Sequence, residues 1–144
     1  MRFMVMVRAT PDSEAARMPD EKLLAEMGRF NEEMVKAGVM LSGEGLQPSA
    51  KGARVRFDGD TRTVIEGPLP VQELIAGFWI LDVASRQDAI DWIKRSPNPF
   101  PGRVSEIEIR QIFEAEDFGD EFTPELREQE ERMRREMEKK AGKG

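Results

Sequence analysis

Two acids stand where chemistry would need them. Glu44 lies between Gly43 and Gly45, so a backbone or ligand can approach it closely. Glu66 opens the turn segment Glu66-Gly67-Pro68-Leu69. Two carboxyls held in an apolar cleft can split their pKa values and divide acid and base roles. Glu44 and Glu66 are therefore the catalytic candidates. The simpler reading is that both cap turns or accept backbone N–H bonds, and it is favoured, since structural networks perturb acids too. Asp82, inside an apolar run, is read as an ion-pair partner of Arg8 or Arg110. Arg8, Arg54 and Arg56 offer guanidinium groups to an anionic ligand. Arg54 and Arg56, spaced two apart, share a strand face, and a solvated face is the simpler account of them. Trp79 is the aromatic candidate for a ligand floor, although aromatics in such strands are usually core.

The rest of the chemical inventory is short. The chain has no cysteine and no histidine. Disulfides, thiolate nucleophiles and the usual near-neutral general base are excluded. A metal would need oxygen ligands alone, and none is expected. Ser42-Gly43-Glu44-Gly45 lacks the order of a nucleophile elbow. There is no phosphate-binding glycine loop, so no nucleotide cofactor is expected. The net charge of -6 over 144 residues argues against nucleic-acid partners. No apolar run reaches membrane-span length, and Met1-Arg2-Phe3-Met4-Val5 does not open like a signal peptide, so a cytoplasmic location is expected.

The elements that must position these residues follow from periodicity. Phe3 to Arg8 reads as a strand, and Ala9 to Met18 as a polar connection. Pro19, Asp20 and Glu21 open a helix whose apolar stripe is Leu23, Leu24, Met27, Phe30 and Met34, with Gly38 placed to end it. Val39 to Leu41 is a short strand running into the two glycines. Ala53 to Phe57 and Thr61 to Ile65 alternate around Asp58-Gly59, a hairpin signal. Phe78 to Val83 is the most apolar strand. Ser85 and Asp88 suit a capping box for a helix ending before Pro97, and Val104 to Phe113 is the last strand.

The order is β-α-β, a hairpin, then β-α-β: a ferredoxin-like split βαβ sandwich of the α+β class with an inserted β-hairpin. With helices on one face, the other face should be polar. Phe78-Trp79-Ile80-Leu81 and Phe3 to Val7 are instead apolar on both faces. Two copies packing sheet to sheet would bury the second face, so a homodimer through that face is expected. The composition shifts at Gly119, dividing the chain into a domain over 1–118 and a charged helical extension over 119–144. Thr123-Pro124-Glu125 starts the helix. Glu128 with Arg132, Glu130 with Arg134, Glu131 with Arg135, and Glu136 with Lys140 are acid-before-base pairs. Leu126, Met133 and Met137 make a thin seam, read as a solvated helix before a dimer-clasping or partner-binding one.

Taken in order, Met1-Arg2-Phe3-Met4-Val5, Asn31-Glu32-Glu33, Ala37-Gly38-Val39, Gly43-Glu44-Gly45-Leu46-Gln47-Pro48, Gly67-Pro68 and Leu74-Ile75-Ala76-Gly77-Phe78-Trp79 resemble the YCII-related, or DGPF-domain, proteins. Glu106-Ile107-Glu108-Ile109-Arg110 and Phe113 to Gly119 continue the match, and Phe122 to Glu130 resembles one branch of that family. The resemblance implies a dimeric α/β barrel and no settled reaction. Some relatives gather polar residues in a cleft beside the sheet, and others occur with transcription initiation factors. Two departures stand out. The signature Asp-Gly-Pro-Phe is here Glu66-Gly67-Pro68-Leu69, and the lysine that follows it is missing. Relatives often carry a histidine after the Asn-Pro step, where this chain has Phe100. Three functions are therefore expected, in this order: a small-molecule-binding homodimer with a polar pocket at the sheet edge, an acid–base enzyme, and a protein-interaction module.

Overall fold

In the computed structural model, which describes residues 1–142, contacts divide the chain into two compact units, Met1–Ile112 and Phe113–Gly144. The first holds a four-stranded antiparallel sheet. Its strands are β1 (Arg2–Arg8), β2 (Met40–Gly45), β5 (Ile75–Asp82) and β6 (Ile107–Gln111), in the order β2-β5-β1-β6. Each β-α-β half thus places its two strands on either side of a strand from the other half, the interleaving of a ferredoxin-like fold. Two further strands, β3 (Ala53–Asp58) and β4 (Thr61–Glu66), pair only with each other.

Register sorts the sheet's faces. Phe3 stands opposite Leu81, and Val5 opposite Trp79, so these four side chains share one face. That face is the core: Val5 and Leu81 are fully buried, together with Phe30 and Met34 of helix α2 (Glu21–Lys36) and Ala89 of helix α3 (Arg86–Lys94). Burying side chains of this size stabilises by about 1.5–3 kcal/mol each. On the other face Met4 stands opposite Ile80 and Met6 opposite Phe78, all four only partly buried. The strands are apolar on both faces, as their sequence indicates.

Asp20 caps α2, its Oδ1 accepting the Leu23 N–H at 2.8 Å, so Pro19 precedes the cap instead of opening the helix. Gly38, at φ +72°, ends it in the left-handed region that glycine tolerates. The Ala9 to Met18 connection is not wholly irregular. It holds a four-residue helix, α1 (Pro11–Glu14), capped reciprocally by Thr10 and Ser13. β2 also runs further than expected, through both glycines, because Gly43 pairs with Trp79 and Gly45 with Gly77. A Cβ at 43 would meet Met40 Cε at 2.7 Å and Trp79 Cδ1 at 2.8 Å, so bare backbone suits that register. The last strand is shorter than its alternation suggests; Val104 lies outside it, 94% exposed.

The hairpin turns through Gly59-Asp60, with Gly59 at φ +57°. Val55 faces Val64 across it and Arg62 lies over the Phe57 ring at 4.5 Å, yet all but one of its strand residues are exposed.

The second unit has its own organisation. Phe113, Phe118 and Phe122 form a chain of ring contacts at 5.2 and 5.5 Å. Helix α4 (Pro124–Ala141) begins at the expected cap, Thr123, whose hydroxyl accepts the Leu126 N–H at 3.3 Å. Glu130 and Arg134 close as an ion pair at 2.7 Å. Leu126, Met133 and Met137 are all exposed. Among the described residues no helix is long and apolar enough to cross a membrane.

Candidate functional site

The residues that meet at one end of the sheet line an open cavity of about 320 Å³. Its floor is strand: Gly43 and Gly45 of β2, Ala76, Gly77, Phe78 and Trp79 of β5, and Val7 of β1. Met27 and Asn31, one helical turn apart on α2, form a wall. Pro99 and Phe100, from the segment after α3, complete it. Glycines open this space. A Cβ at Gly45 would meet nothing within 4 Å, so the void begins at that backbone.

The polar groups are few. Trp79 donates its indole N–H to Asn31 Oδ1 at 2.9 Å, while its ring meets Phe30 edge-on at 6.0 Å. A buried indole needs such a partner, and Asn31 supplies it from inside the apolar stripe of α2. Phe100 is held from behind. Asn98 Oδ1 accepts the Phe100 N–H at 2.9 Å and the Ser105 hydroxyl at 2.6 Å, and Asn98 Nδ2 donates to the Arg103 carbonyl at 2.9 Å. The proline-rich segment is therefore an ordered wall. Glu44 lies at the rim, exposed, and its register with Phe78 puts its side chain on the face opposite to that of Trp79.

Of the six candidates read from sequence, the cavity brings together Glu44 and Trp79. Arg8 donates to the Gln72 carbonyl at 2.6 Å and pairs with Glu108 at 3.6 Å. Arg54 pairs with Glu73 at 3.5 Å. Arg56 and Glu66 lie exposed on the hairpin, opposite Thr63 and Ala53. None of these four lines the cavity. Asp82 pairs with neither Arg8 nor Arg110. It meets the Met1 ammonium at 3.3 Å, while both arginines reach Glu108. Antiparallel pairing explains this, because it sets Asp82 opposite Arg2 and carries Arg8 to the far end of β1.

The signature-like loop has a structural task. Ser49 donates its hydroxyl and its N–H to the Glu14 carboxylate, and its Oγ accepts the Leu69 N–H at 2.9 Å. Gly67 lies directly against the Ser49 carbonyl and precedes a cis Pro68. Glu14 and Ser49 were not singled out from sequence, and their separation of 35 positions gives no periodic signal. Asn31 stood only among the stretches that carry the resemblance, with no site role, although it adjoins Phe30 within the buried stripe. Phe100, where the resemblance expects histidine, proves to line the cavity.

An interleaved antiparallel sheet, two covering helices and an edge cavity define a small ferredoxin-like α+β domain. The chain belongs to the YCII-related family, whose domain matches residues 1–114. It is also similar to an uncharacterized protein of Rhizobium meliloti (strain 1021), 27% identical over 94 residues, or 65% of this chain and 75% of that protein.

Proposed function

We propose that this protein is a small-molecule-binding homodimer whose ligand enters the cavity between β2, β5 and the Phe100 wall. One observation carries the reading: Glu44, exposed at the rim, is the only titratable residue among those lining the cavity. Acid–base or nucleophilic catalysis calls for a group positioned against the substrate with a partner to orient it. Val7, Met27, Met40, Trp79 and Phe100 instead offer shape and apolar contact, with Asn31 as the fixed polar group. That is the composition of a binding pocket. The lining is thus more apolar than the sequence suggested. The paired-carboxylate reading is weaker, because Glu66 is not among the lining residues.

The homodimer is supported by the apolar, only partly buried row Met4, Met6, Phe78 and Ile80 on the sheet face opposite the core. A second copy of the same row is its natural cover.

A thermal-shift screen against a metabolite library tests the pocket. The expected outcome is a compound that raises Tm in the wild type and not in Gly45→Leu, which adds a side chain to the cavity lining at a position where a Cβ meets nothing within 4 Å. A hit that stabilises both proteins equally would place binding elsewhere and overturn the reading.

A further inference from the structure

Resting on that pocket reading, we propose a ligand class: the cavity takes an uncharged, mainly apolar ring compound bearing a hydrogen-bond acceptor, and it excludes anions. The argument is one of charge and hydrogen-bond inventory. No lysine or arginine lines the cavity, and its one charged residue, Glu44, stands at the rim with its side chain on the face opposite to that of Trp79. An anion entering there would lose its water against Val7, Met27, Met40 and Phe100 and gain no cation in exchange. The arginines that would have offered one are engaged elsewhere, Arg8 with Glu108 and Gln72, and Arg54 with Glu73.

The acceptor requirement comes from Asn31. Its Oδ1 is occupied by the Trp79 indole N–H, which fixes the amide with its NH₂ as the remaining group. That NH₂ donates only, so a ligand hydroxyl or carbonyl oxygen satisfies it. The ring preference follows from the flat wall of Phe100 and the thioethers of Met27 and Met40, which suit aromatic faces and edges.

Benzyl alcohol and benzoate, alike in size and different in charge, test the idea. The readout is the ¹⁵N–H resonance of the Trp79 indole, distinguished from that of Trp92 by Trp92→Phe. Benzyl alcohol should shift this resonance saturably at about pH 7, with benzoate at least roughly tenfold weaker. Phe100→Arg should reverse that order, and Gly45→Leu should abolish the benzyl alcohol shift. Benzoate binding the wild type as tightly as the alcohol would overturn the ligand class while leaving the pocket standing. A resonance that neither probe moves would overturn it too. The pocket reading itself would fall only if the library screen also gave no hit sensitive to Gly45→Leu.

Discussion

A Cβ at position 67 would stand 1.7 Å from the Ser49 carbonyl oxygen and 2.6 Å from its carbon, both backbone atoms with no side-chain freedom to yield. Gly67→Ala should therefore cost about 3 kcal/mol or more, at the upper end of overpacking, measurable by urea unfolding. Glu66, its neighbour, is exposed, and Glu66→Gln should leave stability within about 0.5 kcal/mol in the same assay. The contrast separates what the loop needs sterically from what its acid does. Asp12 offers a pH test. The hydrogen bond from Arg103 at 2.9 Å, with the nearby charges of Arg103 and Arg17, holds its carboxyl below the ordinary value of 3.8. A depressed carboxylate adds stability that is present above 3.8 and is lost as pH falls through the folded-state value. Asp12→Asn should thus narrow the difference from wild type as pH drops below about 4, followed by urea midpoints across the acid range. A constant difference at every pH would assign Asp12 a role unrelated to its charge. At this scale the sequence was least legible. Glu44 and Trp79 could be named from type and neighbours, but the partners Ser49, Asn98 and Asn31 depend on which loops the fold brings together.

Elements were far more legible. β1 and β5 declared themselves through apolar runs, and α2 through its stripe, its acidic cap and its closing glycine. The failures have physical causes. β2 continued through Gly43 and Gly45 because pairing with β5 outweighed glycine's weak strand preference. Four-residue α1 was too short for periodicity to reveal. Alternation from Val104 mimicked strand, but pairing with β1 ends where the Arg8 N–H meets the Glu106 carbonyl at 3.0 Å, because β1 itself ends at Arg8. The cap of α4 was readable from Thr123-Pro124 alone. Thr123→Ala should lower the stability of that helix by about 1 kcal/mol and speed exchange of the Leu126 amide, its hydrogen-bond donor. Unchanged exchange would remove the hydroxyl from any capping role.

For the whole molecule the informative quantity is the apolar area left over after the helices are packed. Met4, Met6, Phe78 and Ile80, all partly buried, form a continuous row on the sheet face opposite the core. Ile80→Lys would put one charge per copy, two in a symmetric dimer, into that row, enough to break an isologous interface whose hydrophobic row it interrupts. Light scattering should show wild type at twice the chain mass and the variant at the chain mass. A wild-type protein that stays at the chain mass at every concentration would refute the second-copy proposal. The sequence made the burial problem visible through strands apolar in both registers. It could not place the cavity, because three glycines, a helix wall and a proline-rich segment from four separate stretches had to converge first.

The hairpin has a practical consequence. As strands, β3 and β4 pair only with each other, and the base of the ribbon is closed where the Gly67 N–H meets the Gly52 carbonyl at 3.0 Å. Its two ends are thus already held at the spacing of a single backbone hydrogen bond. Such a stem is a natural graft point: a foreign peptide or a recognition loop could replace the ribbon tip at Gly59-Asp60, displayed on a domain whose own sheet takes no part in the exchange.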